Sequence, residues 1–183
     1  ALLNCIHKSG RLGLLEFVAL LYPANKADLY RKKMKPLIVL LCAFLIAIVV
    51  TKIISNNYDF ALSGRIAMSV MLSFTAIAHF AFTKGMAMML PGFIPYKTTT
   101  VYLTGIIEIA AATGLLIPGT TVIAARLLIA FFILILPANI YAAAKHIDYR
   151  KGTPDGNGPA YLWFRIPLQI FFIIWVYLSS VKG

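Results

Sequence analysis

Five long apolar runs, at about 36–54, 65–83, 100–118, 121–141 and 164–181, leave this chain few folds to adopt. A helix rising 1.5 Å per residue crosses a hydrocarbon core ~30 Å thick in about 20 residues, and each run comes close to that length. Open sheets cannot cross lipid, because their edges leave N–H and C=O groups unpaired, and the runs lack the alternation of barrel strands. The sequence therefore predicts an all-α integral membrane protein. Composition points the same way: 61% of residues are hydrophobic and 13% charged, more apolar surface than a 183-residue water-soluble domain can hide.

The net charge of +11 raises the question of nucleic acid, but the basic residues are concentrated outside the apolar runs and no recognition module accompanies them. Lys and Arg beside membrane spans are the cytoplasmic signature. If the N-terminal leader is cytoplasmic, its basic cluster shares that side with Lys84, Lys97, Lys145, Arg150, Lys151 and Arg165. The other side keeps Lys52, Arg65, Arg126 and Lys182. This bias predicts a cytoplasmic N-terminus. The expected location is a bacterial inner (plasma) membrane.

Residues 1–35 form a basic leader, in which Leu12–Tyr22 reads as a short interfacial amphipathic helix held to anionic lipid. An alternative reading begins the protein at Met34. Cys5 and Cys42 make neither a redox pair nor a thiolate metal site, and Cys42 is expected to pack as a small buried hydrophobe. The segment Lys84–Lys97 is apolar but broken by Pro91 and Pro95, which suits an interfacial or re-entrant piece. Its methionines suggest either soft copper ligands or adaptable packing, and packing is the commoner use. Residues 152–160 form a Gly- and Pro-rich connector without P-loop spacing.

Glu108 lies deep in the third run, where an ionisable side chain is costly without a partner or a task. His79, Asn139 and Gln169 fall in the same half of the bilayer on other runs, if successive spans alternate in direction. A His–Glu couple in low dielectric can pass a proton or bind a polar head; equally, it can lock two spans together. Pro137 and Pro167 each stand two residues before an amide, Asn139 and Gln169, and each removes one intrahelical hydrogen bond. Those amides read either as pocket walls or as interhelical glue. Arg165, beside Asp148 at the inner face, is expected to form an ion pair that ties the last connector to the bundle. No metal site is expected from one His and one carboxylate, with His146 in the aqueous connector.

The order Ala78-His79-Phe80, Pro91–Tyr96, Gly105-Ile106-Ile107-Glu108, Gly114–Pro118, Pro137–Tyr141 and Arg165–Gln169 resembles the DoxX-like membrane proteins over about 65–178. The resemblance implies a four-helix membrane bundle over 65–181, here preceded by one additional transmembrane helix at 36–54. It implies a small subunit that supports a quinone-linked redox complex beside a partner oxidoreductase, with a quinone or other small amphiphile as ligand. Members that look like assembly factors or chaperones supply a non-enzymatic alternative, and a small transporter or proton pathway is a third. His79, Glu108, Asn139, Arg165 and Gln169 carry over as characteristic positions. No haem, flavin or cluster ligands stand in the chain, so no covalently bound cofactor and no autonomous enzyme is expected.

Overall fold

A computed structural model describes residues 34–154, 156 and 158–182. The amphipathic helix expected at Leu12–Tyr22 lies outside the described residues. Five helices are long and apolar enough to cross a membrane. They are α1 (Lys35–Ser55), α2 (Phe60–Ala81), α4 (Lys97–Leu116), α5 (Thr121–Ala144) and α6 (Leu162–Val176), the last continuing through a π-helical turn at Tyr177–Val181. A short helix, α3 (Thr83–Met88), follows α2 directly. Among the described residues the β pairing is one isolated antiparallel bridge, Asp148 to Thr153.

Helix ends follow backbone chemistry more closely than hydropathy. The second apolar run begins at Arg65, yet α2 begins five residues earlier. There the Asp59 carboxylate accepts from the Leu62 N–H at 2.8 Å and satisfies one of the free amides of the first turn. At the tight α4–α5 turn, hydroxyls reach the last carbonyls of α4. Thr120 Oγ1 donates to Gly114 O at 2.9 Å, and Thr121 Oγ1 lies 3.4 Å from Leu115 O. The last carbonyls of a helix have no partner within it, and these hydroxyls supply one.

α2 is the central element. It carries a wide buried stripe through Gly64, Ala67, Met68, Met71, Leu72, Ala76 and His79, at the spacing of one helix face. Leu115 of α4, Leu128 of α5 and Phe172 and Val176 of α6 complete the core. Small residues allow the close approaches that membrane helices depend on, since lipid tails give apolar side chains little reason to leave them. Ser69 Oγ donates to the Ala112 carbonyl at 2.8 Å, joining α2 to α4. A Cβ on Gly114 would come within 2.9 Å of that of Ala124.

α1 buries a narrower seam of Leu40, Ala47 and Thr51. Phe44 meets Trp175 edge-on, and Thr51 Oγ1 lies 3.2 Å from Ser63 Oγ. Cys42 sits on the outward side of this helix and is exposed, not buried as its sequence context suggests. An apolar run fixes depth, and it leaves azimuth open. The segment after α2 is a short helix, α3, and then irregular backbone through Pro91 and Pro95 up to α4. α3 lies so close to the connector at Tyr149 that any side chain at Gly85 would run into the Tyr149 carbonyl.

Candidate functional site

The helical repeat places Thr75 and His79 on one face of α2, four residues apart, and Thr104 and Glu108 likewise on α4. The two helices run antiparallel, so the pairs meet head to tail. Thr75 Oγ1 donates to Glu108 Oε2 at 2.9 Å. Glu108 Oε1 lies 3.4 Å from His79 Nε2, an ion-pair distance longer than a tight hydrogen bond. His79 Nδ1 lies 3.0 Å from Thr104 Oγ1, which in turn donates to the Val101 carbonyl at 2.7 Å. The result is a continuous polar chain, Thr75–Glu108–His79–Thr104, between two apolar helices. His79 is 8% exposed and Glu108 6%, so the pair is withdrawn from the surroundings.

Gly105 makes this meeting possible. A Cβ there would stand 3.0 Å from His79 Cβ and 3.3 Å from the Phe80 ring. The Phe80 ring crosses that gap and stacks on Tyr102, with centroids 5.7 Å apart, flanking the His79–Thr104 end.

The protons in this chain are constrained by counting. The Thr104 hydroxyl has one hydrogen and two neighbours that can receive it. When it goes to Val101 O, the contact to His79 calls for a hydrogen on Nδ1. When the hydroxyl turns to His79 Nδ1, that nitrogen accepts and the hydrogen of a neutral ring sits on Nε2, facing Glu108. One rotation therefore selects the histidine tautomer. Thr75 and Thr104 were missed in reading the sequence, although the repeated spacing Thr-x-x-x-His and Thr-x-x-x-Glu marks them.

The amides lie elsewhere. Gln169, on α6, donates through Nε2 to the Phe132 carbonyl of α5. Its Oε1, together with Asn139 Nδ2 and Arg165 Nε, is a buried polar atom without a hydrogen-bond partner. Gln169 and Asn139 are 6% and 3% exposed. The Gly114–Ala124 contact makes Glu108 level with about Ala130, so Gln169 shares its depth to within roughly one turn. Asn139 lies about two turns nearer the helix end. Among the described residues, no hydrogen bond joins these amides to the quartet on α2 and α4.

The expected pairing of Arg165 with Asp148 is not formed. Asp148 Oδ1 instead accepts from the backbone N–H of Arg150 at 2.9 Å and of Lys151 at 3.5 Å, folding the connector on itself. An aspartate beside a turn satisfies its own backbone at less entropic cost than a distant guanidinium. Among the described residues, no three His, Cys, Asp or Glu side chains gather where they could hold a metal ion.

Helical architecture and buried polar quartet together define an all-α bundle whose five principal helices have the length and apolarity of membrane spans. The chain belongs to the family described as a domain of unknown function, DUF8561, whose model matches residues 68–180. That stretch takes in the quartet, both amides and Arg165, and leaves out α1. No curated protein and no solved structure matches the chain.

Proposed function

We propose that this protein is a DoxX-like integral membrane subunit that binds the head of a quinone-like amphiphile and supports a partner oxidoreductase. It would sit in a bacterial plasma membrane with its N-terminal end cytoplasmic. In this reading His79 and Glu108 bind the head or relay a proton, Gln169 and Asn139 orient it, and the apolar helices receive the tail. The observation that carries the reading is the 3.4 Å approach of His79 to Glu108 inside apolar helices, an arrangement that is expensive unless used or tightly paired. Orientation rests on the six Lys and Arg residues, from Lys84 to Arg165, that flank the His79 end of the spans.

A second reading has its own support. The side chains of the quartet find partners within it or on their own helices, so they clasp α2 to α4 without any ligand. That suits a non-enzymatic assembly factor. Binding of a short-chain ubiquinone analogue to purified protein separates the two, with His79→Ala and Glu108→Gln compared against wild type. Binding that is lost in both folded variants supports the quinone reading. Absence of binding, or binding that survives both changes, leaves the clasp.

A further inference from the structure

The α5–α6 seam presents a set of polar atoms that nothing among the described residues satisfies. Gln169 bonds to the Phe132 carbonyl, which fixes the facing sides of the two helices. Arg165 is one turn before Gln169 on the same face of α6, and Asn139 is two turns beyond Phe132 on the same face of α5. Gly158, just before α6, lies against the His146 ring at the far end of α5, so the helices run antiparallel. Arg165 therefore comes level with about Leu136, within a turn of Asn139. The unsatisfied atoms are two donors, Asn139 Nδ2 and Arg165 Nε, and one acceptor, Gln169 Oε1. Arg165 is half-buried, but its Nε–H, like the Asn139 amide donor, is buried without an acceptor, and such donors are costly, more so in an apolar surround than in water.

We propose that this seam is a binding site for an anionic oxygen head group, a phosphate or carboxylate. Its oxygens accept from Arg165 and Asn139, and a hydroxyl of the same molecule donates to Gln169. The chemistry follows from the atoms. Two unpaired donors, one of them cationic, match an oxyanion, and Arg Nε–H forms charge-assisted bonds to such oxygens. The depth suits an amphiphile: Arg165 sits in the first turn of α6, and basic residues between spans near a membrane face receive lipid head groups. Pro137 and Pro167 interrupt the backbone ladders on both sides, which makes this seam easier to open than one between unbroken helices. The site shares Asn139 and Gln169 with the quinone reading and does not rest on it.

The test is native mass spectrometry of the full chain released from nanodiscs containing phosphatidylcholine with a minority of phosphatidylglycerol. Parallel thermal-shift arms use inorganic phosphate alone and palmitate alone. Wild type is expected to retain phosphatidylglycerol in preference to phosphatidylcholine. Arg165→Gln should lower that retention about tenfold, the loss of one charge-assisted hydrogen bond, and Asn139→Ala less. Lys84→Gln, an exposed cation near the same end, should change it little. If Arg165→Gln fails to fold, Arg165→Lys, which keeps the charge and lacks Nε–H, carries the comparison. A shift with phosphate alone supports the same chemistry from a soluble source, and one with palmitate alone supports a carboxylate. Equal retention of the two lipids with no shift in either arm overturns the proposal, as does an equal loss in Lys84→Gln. Loss of quinone binding in His79→Ala and Glu108→Gln with lipid retention intact separates the two sites.

Discussion

The α2–α4 and α5–α6 seams bury similar kinds of side chain and treat them in opposite ways. Between α2 and α4 each polar atom of the quartet meets another, from Thr75 through Glu108 and His79 to Thr104. Between α5 and α6 the Gln169 amide donates one hydrogen bond, and among the described residues three buried polar atoms are left without partners. Removing one member of a completed network exposes the rest, whereas removing an unsatisfied group relieves a penalty. The two seams should therefore respond to apolar substitution with opposite signs.

The largest effect is expected in the quartet. Glu108→Leu leaves His79 buried against an apolar neighbour, and the loss should reach about 3–5 kcal/mol, as for other buried pairs broken on one side. The double variant His79→Leu/Glu108→Leu should cost less than Glu108→Leu alone, because no orphaned partner remains. Steric-trap or denaturant unfolding in bicelles measures both. A double variant worse than the single would mean that the pair is not a coupled unit. Next in size is Gly85→Val, where the new side chain meets the Tyr149 carbonyl and must push α3 off the connector. Overpacking of this kind costs roughly 1–3 kcal/mol. Unchanged stability would show that α3 is held to the connector more loosely than the contact at Gly85 implies.

The sign reversal is the sharper comparison. Asn139→Leu deletes a buried donor that has no acceptor, so in detergent stripped of anionic lipid it should stabilise the protein by about 1 kcal/mol. With phosphatidylglycerol present the gain should shrink, since wild type then has a ligand to lose. Unfolding midpoints measured with and without that lipid decide the matter. A loss of stability in both conditions would place Asn139 with the quartet as a satisfied structural group.

Sequence made the helices legible because a run of about 20 apolar residues has one economical way to cross lipid. It also marked Glu108 and His79, since charge in such a run is conspicuous. It could not give their azimuth, and the same blindness put Cys42 inside when it faces outward. Arg165 and Asp148 looked like partners because they flank one connector. Asp148 had a nearer option in its own turn, and local backbone bonds of that kind leave little trace in residue spacing. Thr75 and Thr104 were readable in principle from their four-residue offset to His79 and Glu108. A threonine in an apolar helix is common enough to pass unnoticed, because its hydroxyl can bond to its own helix.

Those two threonines give the smallest and most selective prediction. Thr104→Val removes the partner of His79 Nδ1, and Thr75→Val removes a donor to Glu108 Oε2. Interhelical hydrogen bonds of this type are worth about 0.6–1.7 kcal/mol in membranes, so neither change should unfold the protein. Their effects on the imidazole should differ. With Thr104 gone, nothing on that side selects the ring tautomer, and the nitrogen-15 signals of His79 should shift and broaden. Thr104→Ser, which restores the hydroxyl, should return them. Thr75→Val leaves the Nδ1 partner in place and should move those signals less. Equal spectra for Thr104→Val and wild type would mean that Glu108 alone orients His79, and that the quartet is a pair with two bystanders.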